Sequence, residues 1–144
     1  MLFSKGCTYA IRAALLVAVK ETREGRKFIP IRELADELEL SFHFLTKILQ
    51  VLTEAEIMES FRGPNGGIGL AREANMISLI QIISAVDGMS LFSECALGLP
   101  DCGEAKPCPL HKSWSKRREE LKRMFEKTTL ATLALKKKKN SLRN

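Results

Sequence analysis

No apolar run in this 144-residue chain approaches the roughly 20 residues needed to cross a bilayer; the longest, Ala13 to Val19, falls far short. Met1 to Lys5 lack the charged-then-apolar layout of a secretory signal. The expectation is a cytoplasmic protein with no membrane partner. No glycine-rich phosphate loop is present, which removes a nucleotide-dependent redox enzyme. Only two histidines occur, His43 and His111. No second imidazole stands beside the chain's clustered thiols, so catalysis is not expected there and the chain reads as a non-enzyme. No internal repeat is visible.

What is present is an ordinary globular balance, 45% hydrophobic and 28% charged residues, enough for one modest domain or a small domain with an appendage. The net charge of +6 is unevenly spread. Lys112 to Asn144 hold 12 basic and 3 acidic residues, whereas the first 111 residues hold 11 basic and 14 acidic. The overall charge is therefore weak support for nucleic-acid binding. The run Lys136 to Lys139 reads as part of a solvated, disordered basic tail over 136–144.

Hydropathy patterning places the elements. Cys7 to Lys20 is almost continuously apolar and predicts a buried helix, followed by a polar loop over Thr22 to Lys27. Pro30 opens a second helix, with Ile31, Leu34, Ala35 and Leu38 at helical spacing and Arg32, Glu33, Asp36, Glu37 and Glu39 on the other side. Ser41 is a candidate N-cap for a third helix from Phe42 to about Ala55. Its face Leu45, Ile48, Leu49, Leu52 is apolar; His43, Thr46, Lys47 and Gln50 lie opposite. Ile57 to Arg62 and Ile68 to Leu70 predict a hairpin around the turn cluster Gly63 to Gly67. A further helix over Ile77 to Val86 should end at Gly88, and Ser90 to His111 reads as an ordered loop. From Ser113 a long polar helix carries Leu121, Phe125, Thr128, Thr132 and Leu135, a narrow stripe like a coiled-coil seam.

Two short helices, a tight turn and a glycine-rich hairpin form a winged helix-turn-helix. The fold class expected is mainly α, with a small β-hairpin wing and a long C-terminal dimerisation helix. The units are a DNA-binding domain over 1–88, a cysteine-rich loop over 89–112, the dimerisation helix over 113–135 and the tail. A helix fits the major groove, and its polar N-terminal residues can reach base edges and phosphates. The candidate DNA-binding residues are Ser41, His43, Thr46, Lys47 and Gln50 on that helix, and Arg62, Gly63, Asn65 and Gly66 on the wing. Arg62 stands where a guanidinium can enter a minor groove or clamp a phosphate. A winged-helix adaptor that binds protein instead of DNA is the rival reading.

Cys95, Cys102 and Cys108 fall within 14 residues, with His111 three positions after the last. Pro107 and Pro109 disfavour helix around Cys108, and Gly98 and Gly103 let the loop wrap. Three thiolates and one imidazole suit zinc or an iron–sulfur cluster; a thiol redox switch, or no metal, are the other readings. Cys7 reads as a small buried helix residue.

The run Ser41-Phe-His-Phe-Leu-Thr-Lys-Ile-Leu49, then Ser60-Phe-Arg-Gly-Pro-Asn-Gly-Gly67, then Ile83-Ser-Ala-Val-Asp-Gly88, resembles the Rrf-type winged-helix regulators. Ser4-Lys-Gly and Tyr9-Ala10 match as well, and the resemblance covers about residues 1 to 135. It implies a transcriptional regulator, a repressor in several members, acting as a homodimer on an imperfectly palindromic double-stranded operator. It implies DNA contacts at His43, Thr46, Lys47 and Arg62. In cluster-binding members three cysteines stand where Cys95, Cys102 and Cys108 stand. A histidine matching His111 completes a two-iron (2Fe–2S) cluster; four-iron clusters also occur. Other members take the last ligand from an acidic residue of the partner subunit, at the position held here by Thr8, beside Cys7. The first cysteine gap is one residue longer than in those members.

Overall fold

The computed structural model describes residues 2–136. Apart from Lys136, the basic tail lies outside them. The first helix, α1 (Lys5–Glu24), starts where the Ser4 hydroxyl accepts from the Cys7 amide at 3.0 Å, and ends at Gly25 in the left-handed region, φ 66°. It thus runs a turn beyond the expected Lys20. Its middle is apolar on every side, and Ala10, Ala13, Ala14, Leu16, Val17 and Ala18 are buried all round. Such a helix is stable only when surrounded. α2, α3, β2, α4 and α6, described below, all pack on it.

Ile31–Leu38 form α2, which begins at Pro30 and stops at Glu39, left-handed at φ 58°. That reversal makes the tight turn into α3 (Phe42–Glu54), whose Ser41 hydroxyl accepts from the Phe44 amide at 3.1 Å. Leu45, Ile48, Leu49 and Leu52 of α3 are buried, as the periodicity predicts. Strands β1 (Met58–Phe61) and β2 (Gly67–Leu70) pair antiparallel, Met58 opposite Leu70 and Phe61 opposite Gly67. Ile68 pairs in turn with Ile29, at 2.9 Å in both directions, which pins the hairpin to the chain leading into α2. The close approach needs glycine. A Cβ on Gly67, at φ 154°, would stand 2.2 Å from the Ile29 carbonyl oxygen.

After a 3-10 turn (Ala74–Met76) comes α4 (Leu79–Asp87), ended at Gly88 as expected. A second 3-10 turn (Ser90–Phe92) precedes an irregular loop up to α5 (His111–Lys127). His111 is therefore the first residue of a helix and not the end of the loop.

A long helix does follow the loop, but it stops before Leu135. Thr128 is extended, and α6 (Leu130–Lys136) follows as a separate helix. The cause is tertiary. The Leu79 amide donates to the Thr128 carbonyl and the Leu130 amide to the Ile77 carbonyl, each at 2.9 Å. Backbone groups that would have continued the helix are used by the neighbouring segment instead. The stripe read as one seam is split accordingly. Phe125 is buried in its own chain, edge-on to Phe3 at 5.3 Å and Phe92 at 6.1 Å. Leu130 and Ala134 are buried, while Thr132 is exposed and Leu135 is 75% exposed.

Candidate nucleic-acid interface and thiol cluster

The N-terminal half of α3 presents the residues singled out from the sequence. His43, Lys47 and Gln50 are exposed, and Ser41 is engaged as the cap. Thr46 is half-buried and spends its hydroxyl proton on the Phe42 carbonyl at 2.7 Å, so it faces outward only as an acceptor. Phe42 and Phe44 flank them, each 36% exposed. No acidic residue occurs on α3 before Glu54, so nothing on its outer face repels phosphate.

Wing residues Arg62, Gly63 and Asn65 are exposed, Gly66 is half-buried, and the tip is closed by the Gly66 amide donating to the Gly63 carbonyl at 2.9 Å. Arg62 makes no ion pair among the described residues, while Phe61 behind it stacks on Phe28 at 5.2 Å. The exposed Arg62 guanidinium has no partner among the described residues to give up on meeting a phosphate or base, so its charge is available at the cost of ordering the side chain on binding.

Two interactions were not legible from periodicity. Lys20, at 1% exposure, sends its ammonium to Glu33 at 3.0 Å and Glu37 at 2.5 Å, tying α1 to α2. Burial alone would lower the Lys20 pKa; the two carboxylates more than offset it, and the group is held charged. Arg32, which helical spacing puts on the solvent side of α2, lies 4.9 Å over the Phe42 ring. The signal available in the sequence was the unpaired aromatic at the first position of α3.

The loop brings the three candidate cysteines together, with His111 beside one of them. Cys95, Cys102 and Cys108 are free thiols whose sulfurs all lie within 4.8 Å of one another, each half-buried. Cys95 and Cys108 sulfurs are 3.6 Å apart, and the Cys102 sulfur is 3.4 Å from Nδ1 of His111. The Cys108 amide donates to the Cys102 sulfur at 3.4 Å, the kind of bond that steadies a thiolate ligand. The Leu99 amide, aided by that of Leu97 and the neighbouring thiols, draws Cys95 down to about 7. For Cys102 the Cys108 amide pulls down, but burial and the two adjacent thiols prevail and raise it. Thiolates this close cannot all ionise without a cation among them. The donor set suits such a group: three sulfurs lie together on a loop attached to a helix, and the His111 nitrogen meets one of them, that of Cys102.

That attachment is firm. Trp114 and Arg118 of α5 both donate to the Glu94 carbonyl at 2.9 Å, next to Cys95. Cys7 is not gathered with the other thiols. It is fully buried in α1, and burial, then the nearby Asp87 carboxylate, push it up to about 12. A thiol so placed is inert packing. Thr8, beside it, is half-buried.

Known proteins are similar to this chain in sequence and fold. A family model described as "Rrf2: Iron-dependent Transcriptional regulator" matches residues 3–136. The HTH-type transcriptional regulator IscR of Sodalis glossinidius is 30% identical over 132 residues, 92% of this chain and 77% of that protein. Among solved structures, CymR, the global cysteine regulator of B. subtilis, is similar with a TM-score of 0.80 at 26% identity, over 94% of this chain and 98% of that one. T. potens IscR shares the fold, with a TM-score of 0.73 at 21% identity, over 98% of this chain and 91% of that one.

Proposed function

Because this chain belongs to the Rrf2 family of transcriptional regulators, we propose that it is a homodimeric regulator whose operator binding is set by an iron–sulfur cluster on Cys95, Cys102, Cys108 and His111. Members of this family are winged-helix regulators that bind DNA, and they are not enzymes. His43, Thr46, Lys47 and Gln50 read the major groove with Ser41 as their cap. Arg62, Gly63, Asn65 and Gly66 contact the flanking backbone or minor groove. Two-fold symmetry then sets two such helices on an imperfect palindrome. Among the described residues no helix is long and apolar enough to cross a membrane.

One observation carries the metal reading: three sulfurs mutually within 4.8 Å, with the His111 imidazole 3.4 Å from Cys102. When bound, a cluster of the two-iron (2Fe–2S) type supplies a redox-, iron- or nitric-oxide-sensitive centre. The chain's own residues turn its presence into geometry. Cys95 follows the turn after α4, and His111 is the first residue of α5. Holding both ends at one point locks α5 to the DNA-reading half, which shifts the population between dimer arrangements. A second reading has its own support. Ligand atoms around a single tetrahedral zinc lie about 3.8 Å apart, close to the observed 3.6 and 3.4 Å. That reading makes the loop a zinc site or thiol switch.

The deciding experiment purifies and reconstitutes the chain without oxygen, beside Cys102→Ala and His111→Ala. Each is titrated onto a palindromic duplex that the wild type selects from a random pool. The expected results are visible charge-transfer absorption in the wild type only, two protomers per duplex, and an affinity change of about tenfold or more on cluster loss. Colourless protein with one zinc per chain moves the assignment to the second reading. If no metal is taken up, or operator affinity is the same with and without it, the sensor role is wrong.

A further inference from the structure

Three cations are set against α2, and two are neutralised on the spot. Lys20 is spent on Glu33 and Glu37. Arg26 forks onto Glu33, both of its terminal nitrogens at 2.7 Å, and reaches Glu24 at 3.2 Å. Arg32 differs. No carboxylate among the described residues lies within ion-pair distance of it, although Asp36 stands one turn further along the same helix. It chooses the face of Phe42 instead, 4.9 Å from the ring centre.

Phe42 is itself unexplained by packing. It is the first residue of α3, 36% exposed, and edge-on to His43 at 6.0 Å. An aromatic ring under a guanidinium holds the cation's plane and consumes none of its five N–H donors. The donors are left presented for an acceptor outside the chain. In helix-turn-helix docking the first helix crosses the sugar-phosphate backbone while the N-terminus of the second enters the major groove. Arg32 lies in the first turn of α2 and stacks on the first residue of α3. It therefore bridges the backbone-crossing helix and the groove-reading one.

We infer that Arg32 is a phosphate-binding residue of the operator interface, positioned by the exposed ring of Phe42; this rests on the DNA-binding reading above. Its acceptor is a backbone phosphate flanking the bases that His43 reaches. The interaction adds affinity and fixes register on the duplex, and reads no base.

The test measures binding of full-length wild type, Arg32→Ala, Arg32→Lys and Phe42→Leu across a salt series. The probes are a duplex selected by the wild type from a random pool and a scrambled duplex of equal length. Arg32→Ala should weaken both by the same factor. It should also flatten the plot of log affinity against log salt by about 0.9 for each phosphate no longer neutralised, or about 1.8 for a two-fold dimer. Arg32→Lys should keep most of the slope, since the charge remains. Phe42→Leu keeps the charge but removes the platform, and should weaken both duplexes with a smaller change in slope. An unchanged slope for Arg32→Ala overturns the proposal, as does a loss confined to the selected duplex, which would make Arg32 a base reader. Wild-type binding that does not respond to salt would instead defeat the DNA-binding reading itself.

Discussion

Removing the two acids around Lys20 should harm this protein more than removing the lysine. Lys20 is 1% exposed, while the Glu33 and Glu37 side chains are 32% and 29% exposed. Lys20→Met keeps the apolar stem and deletes the charge. The carboxylates left behind are partly in water, and Glu33 still has Arg26, so the cost is two charge-assisted hydrogen bonds less the relieved desolvation, about 1–2 kcal/mol. Glu33→Leu with Glu37→Leu leaves an ammonium in the core with only Glu24 at 3.9 Å. Uncompensated buried charge of that kind costs about 3–5 kcal/mol. At about 4 °C of melting temperature per kcal/mol for a domain of this size, the difference is easily read by thermal unfolding at fixed protein concentration. The triple variant carries no buried charge and should melt above the double variant. Acid probes the same network. The Arg26 fork, then Lys20, hold Glu33 at about 2 against an ordinary 4.5. Its contribution is therefore complete above about pH 4.5 and is lost as the pH falls toward 2. If the triple variant is no more stable than the double, the burial of the ammonium is not what these acids offset.

Two substitutions separate the wing's chemistry from its scaffold. Arg62→Ala removes an exposed, unpaired side chain, so stability should stay within about 0.5 kcal/mol while operator affinity falls by about 1–3 kcal/mol if the side chain reads a base. Undiminished affinity in the folded variant, measured by fluorescence anisotropy, removes Arg62 from the interface. Gly67→Ala acts through the backbone. With φ at 154° and a Cβ 2.2 Å from the Ile29 carbonyl oxygen, it should cost at least about 1–3 kcal/mol and displace the hairpin. A variant that melts like the wild type would mean that the Ile29–Ile68 pairing yields without cost.

Local chemistry is what a sequence can state by itself, and here it stated much of the DNA-reading half. The alternation of Leu45, Ile48, Leu49 and Leu52 with His43, Lys47 and Gln50 needed only the helical period to sort buried from exposed. The turn from Gly63 to Gly67 follows from backbone freedom at those residues, and the close spacing of Cys95, Cys102 and Cys108 already marked them as a candidate donor set, which the fold brings together. Tertiary structure decided what depends on a distant neighbour. The helix read through Leu135 breaks at Thr128 because Ile77 and Leu79 claim its backbone groups, and no periodicity within residues 113–135 records that claim. Lys20 sits at the end of an apolar run, and only the fold shows that Glu33 and Glu37 come back to meet it. Arg32 belongs to the polar side of α2 by spacing, yet chain reversal at Glu39 carries Phe42 beneath it. Short-range order is written in residue period and turn chemistry; which far segment satisfies a backbone group, a buried charge or an exposed ring is settled only when the chain closes on itself.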